Sequence, residues 1–281
     1  MALVNSAEVK LSSGRSFALI DLTGAWIKNL VLDGEKILKD SVDGKRTHGG
    51  ACSLIPFAGR VRNAAYRFDG IDYTLTKNNG NNSIHGFIRD VPFNCLQGDG
   101  ENNATFSAEA SNGGYPTQIE VSISMHLEDS RFKTAYRVRN TGEKRAPLVI
   151  GCHPYFLAGS PCRLLHNSRL ERLVFTDQYF PDGTVANADF NSVKDLGELK
   201  LDSCFRNGGT LTFIDNEREL IIRRNNMDYF LLYNGKYCDG RSVAIEPMTG
   251  APDAFNNGIG LHLLEPGEVF GCSFEIEFRR R

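Results

Sequence analysis

Asn-Gly and Asp-Gly pairs punctuate this chain from end to end. They stand at Asp33-Gly34, Asp43-Gly44, Asp69-Gly70, Asn79-Gly80, Asp99-Gly100, Asn112-Gly113, Asp182-Gly183, Asn234-Gly235 and Asp239-Gly240. Asn and Asp tolerate positive φ and Gly adopts it without steric cost, so these pairs are the residues that tight β-hairpin turns demand. Between them lie short runs in which apolar and polar residues alternate, the mark of a half-buried strand. Val121–Leu127, Phe132–Val138 and Phe270–Phe278 alternate in this way. Tyr229–Tyr233 is apolar throughout and reads as a strand covered on both faces. Leu211–Ile214 and Glu219–Arg223, separated by Asp215-Asn216-Glu217, read as a hairpin, and Phe17 to Leu32 as a short strand pair. No stretch has a dependable 3.6-residue period, a fixed repeat or a low-complexity linker. The expectation is one all-β domain over residues 1–281, a large antiparallel β-sandwich. The 28 glycines among 281 residues fit that reading.

Charge and hydropathy narrow the function. Lys and Arg total 32 against 34 Asp and Glu, a net charge of −2, so no basic surplus exists to drive nucleic-acid binding. No run approaches the roughly 18–20 apolar residues that cross a bilayer. Met1 to Lys10 has no charged stretch followed by an apolar core, and a cytoplasmic location is expected. The seven cysteines, Cys52, Cys95, Cys152, Cys162, Cys204, Cys238 and Cys272, are odd in number and widely spaced, as expected of reduced, buried thiols.

Phosphate loops, a Gly-x-Ser-x-Gly elbow and His-Glu-x-x-His are absent, and the six histidines are not paired at metal-ligand spacing. Four segments break the strand pattern with polar and aromatic residues. In Pro56–Asn63, Arg60 follows a Gly turn and can present a planar fork to a ligand hydroxyl. Asn78–Phe87 is an asparagine-rich turn ending in His85-Gly86. In Ile150–Leu157, His153 sits inside an apolar run, and Pro154 predicts that the strand ends there. In Leu264–Phe270, Glu265 and Glu268 flank a Pro-Gly turn, and one of them is a candidate base.

Taken in order, Ala58-Gly-Arg60-Val, Tyr66–Gly70, Asn79–Gly86, His153-Pro-Tyr-Phe156, Leu201-Asp202-Ser-Cys-Phe205, Ile245-Glu246-Pro247, Pro252–Asn256 and Pro266-Gly267-Glu268 resemble the aldose 1-epimerase (galactose mutarotase) family. The resemblance implies a galactose mutarotase-like supersandwich that interconverts the α and β anomers of a free aldohexose without metal or cofactor. Carried over by position, it implies Glu268 as general base and His153 as general acid. Arg60, His85, Asp202 and Glu246 then bind substrate. A carboxylate and an imidazole on opposite sides of the sugar would remove the anomeric O1–H proton while protonating the ring oxygen O5. Phe57, Phe87 and Tyr155 are candidates to stack on the sugar. The chain is read as departing from the typical pattern at Gly59 and Glu246, both of which bear on the preferred sugar. His85-Gly-Phe-Ile-Arg89 is also similar to a stretch of hexose-6-phosphate mutarotases, and in that alternative Arg62 or Arg89 receives the phosphate. A sugar-binding module that has lost its activity is the third reading.

Overall fold

A computed structural model describes residues 7–97, 101–177 and 179–281. The expected Asp99-Gly100 turn lies outside the described residues. Among them, two large antiparallel sheets carry the fold. The larger runs, in spatial order, through Glu8–Ser13, Ser16–Asp21, Trp26–Leu32, Ala51–Leu54, Gly151–Leu157, Ser242–Met248, Tyr229–Tyr233, Asp202–Arg206, Leu170–Asp177 and Phe180–Ala188, with Glu35–Lys36 appended to Trp26–Leu32. The smaller runs through Asn94–Gln97, Asn103–Ala110, Ile119–Leu127, Arg131–Asn140, Val269–Arg280, Arg218–Asn225, Leu211–Ile214 and Arg163–His166. The longest helix among the described residues is Ala254–Asn257. Among the described residues no helix is long and apolar enough to cross a membrane.

The alternating runs became strands because one face of each meets the core. Val121, Ile123, Met125 and Leu127 are buried while Ser124 and His126 face out. The core between the sheets holds Phe106, Phe132 and Phe274 from the smaller sheet and Phe156, Phe205 and Phe230 from the larger. At Asp33-Gly34 and Asp69-Gly70 both residues take positive φ, as two-residue hairpin turns require, and Asp239-Gly240 does the same in the longer connection that leads into Ser242–Met248. Asn112 and Asn234 act otherwise: each spends its side chain on nearby backbone, on Gly114 N–H and on Leu201 N–H respectively. All seven cysteines are buried and unpaired.

The larger sheet has a second face, turned away from this core, and alternation sorts its side chains. Along Gly151–Leu157, Cys152 and Phe156 enter the core while His153 and Tyr155 point to the other side. Along Ser242–Met248, Val243 and Ile245 enter the core, leaving Ala244, Glu246 and Met248 opposite. Phe205 points inward from Asp202–Arg206, and Asp202 and Cys204 outward. That outer face is the floor of a cavity of about 470 Å³.

Candidate active site

The floor is built by pairing distant strands. The register that sets Gly151 against Met248 and Tyr155 against Ala244 brings His153 opposite Glu246. Their side chains meet, His153 Nε2 lying 3.2 Å from Glu246 Oε1. Between those two register pairs the ladder is open, and Pro154 and Pro247 lie in the gap without an N–H to donate. Pro154 therefore does not end the strand at His153 as expected: the strand continues to Leu157, and Pro154 stays in register with Ala51 on its other side.

Both members of the pair are withdrawn from water, Glu246 being 2% exposed and His153 5%. Burial pushes the Glu246 carboxyl well above the usual range; Asp202 adds to this by repulsion and Arg60 opposes it. Burial likewise pushes the His153 imidazole down to about 3. Each group alone resists charge, so the pair favours holding one proton between two adjacent carriers. Glu246 Oε2 and His153 Nδ1 are buried with no partner. Tyr155 fixes the imidazole plane: the rings stack at 4.5 Å and 8°. Its hydroxyl lies 3.4 Å from His153 Nε2 and donates to the Thr47 carbonyl at 2.8 Å.

His85 enters from a loop. It takes φ 64° and Gly86 φ 63°, and a Cβ on Gly86 would stand 2.0 Å from the Ile55 carbonyl oxygen. Only glycine permits that approach. Gly59 N–H donates to His85 Nδ1 at 3.3 Å, and a backbone N–H cannot accept, so Nδ1 carries the lone pair. Burial, reinforced by His153, Arg89, Arg60 and His48, drives the His85 pKa well below its usual value. The neutral ring then bears its proton on Nε2 as a donor. Arg60 is braced by Nε donating to Asn79 Oδ1 at 2.9 Å and by stacking 3.6 Å above the Tyr179 ring. Asp202 has its pKa raised by partial desolvation, against the pull of Arg60.

Arg60, His85, His153, Asp202 and Glu246 thus line one cavity, together with Arg89. Glu268 does not. It is exposed in the turn that opens Val269–Arg280, a strand of the smaller sheet. Its carbonyl accepts from Asn140 N–H and its carboxylate from Glu265 N–H at 2.9 Å, so it closes the turn. Glu265 is exposed beside it and lies 3.8 Å from Arg145. The carboxylate beside the histidine is Glu246, expected only as a sugar ligand. Arg62 is also outside the cavity lining: it pairs with Asp177 at 3.1 Å and stacks 4.1 Å over Phe180. Of the stacking candidates, Tyr155 lines the cavity, Phe57 is packed against Phe255, and Phe87 belongs to a neighbouring depression. Tyr179, Tyr233, Tyr237 and His48 line the cavity without having been singled out, since nothing local marks them. Among the described residues, no three His, Cys, Asp or Glu are grouped to hold a metal.

Comparison with known proteins agrees with this architecture. The family model described as aldose 1-epimerase matches residues 8–277. The uncharacterized protein YihR of Escherichia coli K12 is 26% identical, covering 97% of this chain and 94% of its own. The aldose 1-epimerase of the same organism is also 26% identical, over 50% of this chain and 42% of its own. Among solved structures, a galactose mutarotase-like protein from Lactobacillus casei superposes with a TM-score of 0.85 at 20% identity, covering 97% of this chain and all of that one. The GalM/aldose epimerase homologue from C. elegans superposes at 0.84 and 20% identity, covering 99% of each.

Proposed function

The chain belongs to the aldose 1-epimerase family, and from that premise we propose that it interconverts the α and β anomers of an aldohexose by acid–base opening and reclosure of the ring. The observation that carries this reading is the buried His153–Glu246 contact at 3.2 Å on the cavity floor. O1 and O5 of a pyranose are both bonded to C1, so one must lose a proton and its neighbour gain one within a short span. Two adjacent proton carriers match that need, side by side rather than across the sugar.

In the free site burial keeps the pair's proton on Glu246 and leaves His153 neutral; in the proposed cycle that proton passes to His153 as the sugar binds. Glu246 takes the O1–H proton as the C1–O5 bond breaks, and His153 delivers its proton to O5. The open-chain aldehyde turns about C1–C2. O5 then attacks the other carbonyl face, its proton returns to His153, and Glu246 protonates the new O1. The pair ends as it began. Burial supports both directions, because it keeps either group from holding charge too firmly to exchange it near neutrality. His85, with its Nε2–H donor, and Arg60 position O5 and neighbouring hydroxyls, and Asp202 accepts from a hydroxyl.

The test is the rate at which freshly dissolved α-D-glucose or α-D-galactose changes optical rotation with purified protein, beside Glu246→Gln and His153→Asn. The expected result is acceleration by the native protein and a loss of at least about a thousandfold in each variant, the scale of removing a positioned acid or base. Binding without acceleration would instead support a silent sugar-binding module.

A further inference from the structure

Of the segments that carry the family resemblance, Pro252–Asn256 has no step in the proposed cycle. Its Asp253 is 5% exposed and does not line the cavity. It lies against the short strand Arg60–Val61, which pairs with Ser83–Ile84 along one edge. On the other edge Asp253 takes the place of a strand. Its N–H donates to the Arg60 carbonyl at 2.8 Å, and its Oδ1 accepts from Arg62 N–H at 2.9 Å. Val61 between them is extended, at φ −106° and ψ 121°, so both groups point to the same side and one residue grips both. Oδ1 also accepts from Asn256 Nδ2 at 2.7 Å, whereas Oδ2 has only Arg62 Nε at 3.8 Å, beyond a hydrogen bond. These contacts use an acceptor oxygen rather than a charge. Asp253 holds φ 61°, which Asp and Asn tolerate better than other side chains.

The gripped segment carries two of the groups that meet the sugar in the proposed cycle. Arg60 lines the cavity from it. Gly59, just before it, accepts from His85 N–H at 2.9 Å and donates to His85 Nδ1 at 3.3 Å. The second of these bonds is long, so a small displacement of Gly59 breaks it and releases the His85 tautomer. Gly59 is packed on the same segment as well: a Cβ on it would stand 2.8 Å from the Pro252 ring. A ladder of two residues on each strand is too short to fix these directions alone. We propose, resting on the mutarotase reading above, that Asp253 is a positioning residue for the sugar site: its grip on Arg60 and Arg62 aims the Arg60 side chain and the Gly59 N–H, and through Gly59 it keeps the His85 proton on Nε2. Asp253 touches no substrate itself; it acts through Arg60 and His85.

The test compares the native chain with Asp253→Gly, Asp253→Asn and Asp195→Gly. Glycine keeps the positive φ and the N–H donated to Arg60 but removes the acceptor. Asparagine keeps the acceptor oxygen and tolerates the same φ. Asp195 is the control, a carboxylate that accepts from Cys162 N–H and Gly197 N–H outside the cavity. Isotope-edited NMR of labelled histidine, assigned with His85→Gln, reads the His85 tautomer with no sugar present. Optical rotation gives kcat/KM for α-D-glucose. Asp253→Gly is expected to lose the single Nε2–H signature of His85 and to lower kcat/KM about tenfold. Asp253→Asn keeps the signature and stays within about twofold of the native rate. Asp195→Gly changes neither, however far its melting temperature falls. The losses from Asp253→Gly and Arg60→Gln fall short of multiplying in the double variant, because both act on the same guanidinium. If glycine prevents folding, Asp253→Ser, which keeps a weaker acceptor, replaces it and is judged by the same readouts. An unchanged His85 signature in Asp253→Gly, an equal loss of kcat/KM in Asp195→Gly, fully multiplicative losses, or a loss in Asp253→Asn as large as in Asp253→Gly overturns the proposal. A native chain that does not speed the change of rotation, with a His85 signature that still depends on Asp253, would leave the positioning role standing and sink the mutarotase reading.

Discussion

Glu246 is held where its charge is least welcome, and the cost has a definite pH dependence. Its folded pKa is raised above the ordinary value near 4.5. Its contribution to stability is therefore fully present below the unfolded pKa and lost as pH rises through the folded one. Glu246→Gln keeps the shape and removes the titration, so it should melt at a higher temperature than the native chain at pH 8 and at the same temperature near pH 4. Calorimetric melts at the two pH values check this, and a lower melting temperature at pH 8 would contradict it. The histidines act with opposite sign. Burial depresses the pKa of both His85 and His153, the latter to about 3. Their contribution is present above pH 6.5 and is lost as pH falls from 6.5 toward 3, at about 1.4 kcal/mol per unit of depression. His85→Gln should flatten stability across that window, read from urea midpoints at pH 7 and pH 4.5. Glu268→Gln should leave kcat within about twofold, as expected of an exposed turn carboxylate. The sequence contains a signal that separates the two glutamates. Ala244-Ile-Glu246-Pro-Met248 and Gly151-Cys-His153-Pro-Tyr155 share a pattern, one ionisable residue in an apolar run followed by proline. Glu268 has only a turn around it. An ionisable side chain that a strand forces out of water is the stronger mark of chemistry.

At the scale of elements, the site depends on two departures from regular β structure. The first is the gap in the ladder at Pro154 and Pro247. Proline is usually confined to edge strands, which is why a strand end was the natural expectation; here each proline lacks a donor where the two strands have already opened. The second is the left-handed His85-Gly86 pair, packed on the Ile55 carbonyl. Gly86→Ala puts a Cβ 2.0 Å from that oxygen at a positive φ. The segment must shift, and His85 shifts with it. The expected cost is roughly 1–3 kcal/mol of stability, accompanied by a higher KM. A urea titration and steady-state kinetics measure both, and an unchanged KM would detach the loop from substrate binding. The Asn-rich turn ending in His-Gly was legible because glycine at such a place has few other reasons. The positive φ of His85 itself was not, because histidine has no strong preference for that region and takes it only under the pull of contacts such as the Gly59 hydrogen bonds.

Over the whole molecule, the core and the candidate site occupy opposite faces of the larger sheet. Alternation makes this separation legible: a strand with Cys152 and Phe156 in the core must present His153 and Tyr155 on its other side. What alternation leaves open is the identity of the neighbours. Gly151–Leu157 lies between Ala51–Leu54 and Ser242–Met248, partners far away in sequence, and no local pattern specifies such pairing. The proposed acid–base couple was for that reason the least legible part of the site, although each member stood in a readable strand. The same separation predicts how core damage propagates. Phe132 is fully buried in the smaller sheet, across the core from the cavity floor. Phe132→Ala should cost roughly 3–5 kcal/mol through lost burial and the void left behind, yet leave kcat within about twofold when assayed well below its melting transition. Phe156 is equally buried, but it shares a strand with His153 and a ladder contact with Leu38. Phe156→Leu removes less volume and should cost less stability, but any shift of that strand changes the 3.2 Å contact to Glu246, so kcat should fall by more than in Phe132→Ala. Melting curves and kcat for the two variants decide the matter. If the more destabilised protein is also the less active one, the floor of the cavity is not insulated from the core by the sheet that divides them.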